Sequence, residues 1–299
     1  MMRDSGSGTG GSVAAERLIE HCPIGCEGKL VETAIVLPEG PLRRCGDCGQ
    51  LVSQITARAY ASSMKEFDTP RGTLPTRRTQ RRHDARAAKL FGVVRTLVHS
   101  NPGAAVKLLD IGCSSGALLK SAVQHGFDAE GVEPAAQAAE FARETGLKVF
   151  HGYLQEAHYP ASSFDVVTLM EVIEHLPDPG ALLREVWRVL KPNGVLVVGT
   201  GNGASWTVGL VGARWGYFQV SAHGGHISFF NPNSLGILAQ RCGFQVERSE
   251  TRRVSLAEPQ ETGRVTYRLL KVAAEMLAMP ARLFGKGHDM LTFLRKLPA

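Results

Sequence analysis

The chain has 299 residues, 43% hydrophobic and 21% charged, the balance of a globular protein with a substantial core rather than a disordered or fibrous one. The length suits one large domain plus a small accessory module, and no apolar run reaches the roughly 20 residues needed to cross a bilayer. The net charge of +6 is concentrated in one stretch, where Arg71, Arg77, Arg78, Arg81, Arg82, Arg86, Lys89 and Arg95 face a single acid, Asp84. Such a patch suits a solvated helix face, or else an anionic substrate, a nucleic acid or a lipid headgroup. No aromatics interleave the arginines, as a stacking platform for single strands would require.

The opening, Met1 to Ser12, is rich in Gly and Ser and has no apolar stretch, so residues 1–19 read as a disordered tail without a secretory signal. A cytoplasmic protein is the resulting expectation. Residues 20–60 hold four of the six cysteines: Cys22, Cys26, Cys45 and Cys48. Clustered pairs without a secretion signal point to metal rather than to disulfides. The alternating run Leu30–Val36 predicts a strand, Pro38–Pro41 a turn, and Leu51-Val52 extended chain after the second pair. Two Cys-bearing turns separated by a β-hairpin have the layout of a zinc ribbon, and four thiolates can close a tetrahedral site. The first knuckle, Cys22-Pro23-Ile24-Gly25-Cys26, carries one residue more than the usual C-x-x-C. His21 is a secondary candidate ligand.

Residues 61–100 read as a linker, with Pro70, Gly72 and Pro75, followed by a helix from about Thr79 that places Ala88, Phe91, Val94 and Val98 on one face. From there to residue 299, strands and helices alternate. Strands are predicted at Val106–Ile111, Ala129–Glu133, Lys148–Phe150, Phe164–Met170, Gly194–Thr200, Phe244–Glu247 and Asp289–Arg295. Helices are predicted at Gly116–His125, Ala135–Thr145, Gly180–Leu190 and Asn233–Cys242. This alternation argues for a doubly wound, mostly parallel sheet in an α/β fold. Val265–Phe284 is apolar at helical spacing with scattered basic residues; core packing and peripheral contact with a membrane or lipid-linked molecule are both open to it.

The segment most informative about function ends the first strand of this domain: Leu109-Asp110-Ile111-Gly112-Cys113-Ser114-Ser115-Gly116. Glycines there let the backbone turn sharply and approach a ligand, and the following helix aims its free N–H groups at it. Glu133 closes the second strand, where a carboxylate can accept both hydroxyls of a ribose. The pair implies a nucleoside-containing cofactor. A dinucleotide fingerprint would need a second glycine where Cys113 or Ser114 stands.

That segment resembles motif I of the class I S-adenosylmethionine (SAM)-dependent methyltransferases, LDIGCGxG, with Ser114 in place of a common glycine. Four further stretches resemble the family in order: Phe164-Asp165-Val166-Val167, Glu171–Pro179 (EVIEHLxDP), Val189–Gly194 (RVLKPGG) and Thr200-Gly201-Asn202. The resemblance covers roughly residues 85–250. It implies a Rossmann-like domain over 101–299 with a seven-stranded sheet, SAM as cofactor and an acceptor-side insert at about 201–232. It implies that Asp110 orients the loop and the methionine end of SAM, that Gly112, Cys113 and Gly116 give close backbone approach, and that Glu133 binds the ribose. Pro134 and Leu154 would flank the adenine, and Glu171 and Val172 would line the methionine side. Similar zinc ribbons precede the domain in one subgroup of this superfamily.

Methyl transfer to a hydroxyl needs a base as well as proximity. His175, in the motif turn, and His226, in a segment resembling the family's HLYFF insert, are the candidate catalytic residues, with His223 beside them. Trp206, Trp215, Tyr217 and Phe218 would wall an acceptor pocket or cover the core. The acceptor expected is a small molecule or glycoconjugate. An RNA substrate gripped by the ribbon and the arginine-rich helix is the alternative, and a non-catalytic SAM-fold scaffold a third.

Overall fold

The structure is a computed structural model that describes residues 16–65, 77–98, 104–218, 220, 225–256 and 264–298. Most of the expected tail, the proline-bearing linker segment and His223 lie outside the described residues, as do the side chains of the patch from Arg71 to Arg82.

The larger sheet has seven strands: β4 (Lys107–Ile111), β5 (Asp128–Glu133), β6 (Val149–His151), β7 (Phe164–Met170), β8 (Leu190–Gly201), β10 (Phe244–Arg252) and β11 (Asp289–Lys296). Their order is β10-β11-β8-β7-β4-β5-β6, and β11 is antiparallel to both neighbours. The chain leaves β4 toward β5 and β6, then returns to β7 on the other side of β4. The β4/β7 seam is therefore the topological switch point, beyond whose strand ends ligands bind in such sheets.

Alternate residues of the central strands feed two cores. Leu109, Ile111, Val167, Leu169, Leu196 and Val198 face one side, with α5 (Pro179–Val189) and α7 (Pro232–Arg241). Leu108, Val166, Val195, Val197 and Phe293 face the other, packed against α2 (Arg77–Leu97) and α3 (Ala117–Gln124), near α4 (Ala136–Glu144). The buried face of α2 is Ala87, Leu90, Phe91 and Val94; Ala88, expected inside, is exposed. The helix is turned so that Phe91 meets Phe127 at 4.9 Å between ring centroids. Arg95, from the basic patch, donates to the His125 carbonyl and lies over the Phe127 ring, a structural use of that charge.

A second sheet joins distant parts of the chain: β1 (Leu30–Leu37), β2 (Gly40–Cys45), β3 (Leu51–Val52) and β9 (Ser228–Phe229), in that order. The first three form the cysteine-bearing hairpin. The fourth comes from the expected acceptor-side insert and pairs antiparallel with β3, Leu51 opposite Phe229. Gln50 reinforces the seam by donating to the Ser228 hydroxyl at 2.7 Å. The boundary expected at residue 60 falls inside α1 (Ala57–Met64), a helix capped by the Thr56 hydroxyl. The hairpin, α1 and the insert, which carries α6 (Trp206–Val211), share one core through Leu42, Leu51, Val52, Ile55, Trp215 and Phe229.

The helix α8 (Arg264–Leu283) does not pack as a core element. Ala274 and Ala281 are buried, while Leu269, Val272, Met276, Met279 and Leu283 are exposed. Its buried contact is made by small residues, which leaves the long apolar side chains outward. No helix among the described residues is long and apolar enough to cross a membrane.

Candidate active site

The glycine loop after β4 has left-handed backbone at Gly112 (φ +71°), Ser114 (φ +47°) and Gly116 (φ +81°). A Cβ on Gly112 would lie 2.5 Å from the Val172 side chain, and one on Gly116 would lie 2.4 Å from Leu147. The loop therefore sits directly under the turn that follows β7. Ser114 is held in this strained region by its own amide, which donates to a Glu133 carboxylate oxygen at 2.7 Å. The Ala135 amide donates to the other oxygen at 2.8 Å. Glu133 is buried, and these two amides fix its carboxylate against the glycine loop. Among the residues expected to bind cofactor, Asp110, Gly112, Gly116, Glu133 and Val172 are thus brought to one place.

The others differ in how they arrive. Cys113 turns its thiol inward, next to Gly131, so only its backbone faces the loop; burial pushes the thiol well above its usual range. Pro134 follows Glu133, half-buried, with its carbonyl 3.2 Å from the His151 ring. Leu154 is buried in the main core. Asp110 is 2% exposed and accepts from the Thr168 hydroxyl at 2.6 Å. Burial raises its carboxyl to about 7, opposed by the Thr168 hydrogen bond and reinforced by Glu133.

Opposite the glycine loop, the turn after β7 begins at Glu171, a non-glycine residue with φ +56°, and continues through Val172 and a short 3₁₀ turn, Ile173–His175. His226 joins it from the segment before β9, with ring centroids of His175 and His226 4.7 Å apart. The Nδ1 of His226 is 2.9 Å from the Tyr217 carbonyl. A carbonyl can only accept, so Nδ1 carries the proton and Nε2 of the neutral ring keeps its lone pair. Tyr217 stacks on His226 at 5.0 Å. Gly201 makes room for that tyrosine, since a Cβ there would lie 2.7 Å from its ring. Trp215 and Phe218 are core cover, whereas Tyr217 is half-buried against the histidines.

Sequence reasoning passed over two residues here. Glu174 is 1% exposed beside His175. It was visible in the EVIEH motif, three residues after Glu171, but without a role. Tyr60 of α1 donates its hydroxyl to the His175 carbonyl at 2.8 Å, a contact across 115 residues that no local pattern announces.

The four clustered cysteines converge, with all ligand atoms within 4.8 Å of one another, and Cys22 Sγ lies 3.6 Å from Cys48 Sγ. Gly25, at φ +81°, turns the longer first knuckle, and Arg241 of α7 donates to the Ile24 carbonyl at 2.8 Å. Asn231 and Asn233 donate to the Cys48 carbonyl. Both knuckles are thereby fastened to α7. His21 is exposed and outside the cluster.

Residues 76–249 match the family described as "Methyltransferase domain". The chain belongs to this family. Among curated relatives of this methyltransferase, a ubiquinone biosynthesis O-methyltransferase of Pseudomonas aeruginosa is 32% identical over 152 residues, 47% of this chain and 65% of that protein. Its counterpart in Escherichia fergusonii is 38% identical over 120 residues, 36% of this chain and 49% of that one. The chain thus spans 49% to 65% of the length of these relatives. A solved SAM-dependent methyltransferase from Archaeoglobus fulgidus superposes with a TM-score of 0.52 at 19% identity, covering 79% of this chain and 99% of that one. The Rossmann-like fold with its seven-stranded, mostly parallel sheet is the SAM-dependent methyltransferase fold.

Proposed function

We propose that this methyltransferase-family chain transfers a methyl group from SAM to a hydroxyl of a small-molecule or glycoconjugate acceptor. The observation that carries the reading is the placement of the Glu174–His175–His226 cluster beside the glycine loop, through the contact of Val172 with Gly112. SAM, when bound, supplies an electrophilic methyl carbon on a sulfonium.

The chain's own residues supply the rest. Gly112 and Gly116 permit close backbone approach, and Glu133, already positioned by two amides, offers a carboxylate to the ribose hydroxyls. Asp110 is the penultimate residue of β4, beside them. On the other side, the His226 lone pair and its buried neighbours are where a hydroxyl proton would be lost, while Tyr217 closes the space beside them. Such a site acts mainly by orienting acceptor and methyl for in-line displacement. The curated relatives are named as O-methyltransferases, which agrees with a hydroxyl acceptor.

We also infer a structural zinc ion at Cys22, Cys26, Cys45 and Cys48. Zinc–thiolate bonds of ~2.3 Å in a tetrahedron require sulfur atoms ~3.8 Å apart, close to the 3.6 Å between Cys22 and Cys48. Burial pushes the Cys22 thiol up to about 11 and Cys48 higher still. A cation is what would make four packed thiolates favourable.

Calorimetric titration with SAM, on wild type and Glu133→Ala, tests the cofactor side. Micromolar binding that weakens by about a hundredfold in the variant is expected, as for loss of charge-assisted hydrogen bonds. A panel of hydroxylated acceptors with labelled SAM then tests transfer. No SAM binding to the zinc-loaded chain would overturn the reading.

A further inference from the structure

Among the described residues, α8 leaves more large apolar side chains uncovered than any other element: Leu269, Val272, Met276, Met279 and Leu283 are 57% to 77% exposed. Single exposed apolar residues are ordinary, but a contiguous row of them marks a contact surface. These five recur in steps of three, four, three and four residues, so they line up along one side of the helix. The other sides are distinct. Ala274, Leu277 and Ala281 turn inward toward Val254 and Leu256. Arg268, Lys271, Glu275 and Arg282 lie exposed along one flank of the row, and the small residues Ala273 and Pro280 along the other. The row is narrow, with two positions per seven residues. That is the period of a helix meeting a helix, whereas a helix lying in a bilayer interface presents a broader apolar face.

We propose that this row is a self-association surface, on which α8 of a second copy packs antiparallel about a two-fold axis. In the register that seats the rows on each other, Met276 stands level with Met279 of the second copy, and Val272 with Leu283 of the second copy. Every layer of the seam then joins two of the exposed side chains. The same register sets Glu275 beside Arg282 of the second copy, and the symmetry forms that pair twice. Glu275 has no ion pair among the described residues. Arg282 comes only within 3.9 Å of Glu250, a carboxylate that Arg252 holds at 2.9 Å. A parallel pairing would set Arg268 and Glu275 against Ala273 and Pro280, which answer neither charge. The charges therefore choose the antiparallel direction. Covering the row on two copies removes on the order of 1,000 Å² from water, the lower limit of a specific interface, so association in the micromolar range is expected.

No residue of the row belongs to the glycine loop or to the histidine cluster. The pairing goes beyond the methyl-transfer reading and stands or falls without it.

Sedimentation equilibrium of the zinc-loaded full chain over a range of micromolar concentrations is the test. A monomer–dimer equilibrium is expected. Met276→Glu puts a charge into the centre of the seam and should weaken it by about a hundredfold or more. Because Met276 is exposed in the single chain, this variant should keep the wild-type SAM affinity, and its melting temperature should match that of dilute, monomeric wild type. Glu275→Arg should weaken the dimer by about tenfold, and adding Arg282→Glu should restore it, since the exchanged charges face each other again. A chain that stays monomeric, a dimer that Met276→Glu leaves intact, or a Glu275→Arg loss that the second exchange does not recover overturns the proposal. Flotation of monomeric wild type with phosphatidylglycerol vesicles, lost in Met276→Glu, would also overturn it and assign the row to a lipid surface.

Discussion

The two sheets place the residues of the proposed site by opposite means. In the seven-stranded sheet, Asp110, Gly112, Ser114, Gly116 and Glu133 come from two consecutive strand ends and are linked by short-range hydrogen bonds. On the other side of the site, Tyr60, Glu174, His175 and His226 come from three distant stretches, and the small sheet β1-β2-β3-β9 brings the last of them into position. The proposed cofactor side is thus local and self-contained. The proposed acceptor side is a product of tertiary assembly, and its precision depends on a hairpin that also carries the four clustered thiols. A local site tolerates change elsewhere in the chain; an assembled one inherits every weakness of the parts that assemble it.

Breaking the small sheet at its source should separate the two sides most sharply. Cys48→Ser, which removes one thiol of the cluster, is expected to lower stability by more than about 3 kcal/mol and to abolish methyl transfer. SAM affinity should change far less, as titration calorimetry at low temperature would register. A parallel collapse of SAM binding would mean that the sheets form one cooperative unit. The local side is probed by Asp110→Asn. The Asp110 carboxyl is raised to about 7 when folded, so the native state holds its proton where the unfolded chain has lost it. Stability from this group is full at low pH, declines as pH rises from about 4 to 7, and stays low above that range. The wild-type minus variant difference in melting temperature should therefore shrink with rising pH across that window. A flat difference would refute it. The smallest effect is expected from Tyr60→Phe, which deletes the hydrogen bond to the His175 carbonyl. A cost of about 1 kcal/mol in stability is expected, with a lower turnover and unchanged SAM affinity.

The same division decides what could be read from the chain alone. Phe164–Met170 is continuous apolar sequence and forms β7 with those bounds, because a central parallel strand is buried on both faces. Gly112 and Glu133 were legible because the turn chemistry and the strand end are written within a few residues. By contrast, β9 is two residues long and has no periodicity; it is a strand only because β3 lies beside it. The turn of α2 that buries Ala87 rather than Ala88 is set by Phe127, which sequence spacing does not reveal. The apolar residues of α8 suggested a core helix, yet the alanines make its contact and the larger side chains face out. Glu174 stood in plain view within a recognised motif, and its near-complete burial beside His175 is what marks it.

The pairing of β3 with β9 also bears on how the protein is made. Synthesis delivers Leu51-Val52 well before Ser228-Phe229, and domains tend to fold as they emerge. During that interval the outer edge of β3 has no partner strand, the kind of exposed edge that invites wrong pairing. Closing a loop of such length is a late event in folding. His226, one residue before Ile227 and the strand, reaches His175 only when this seam closes. The glycine loop and Glu133 can therefore take up their places before His226 reaches His175, because that contact waits for β3 to pair with β9.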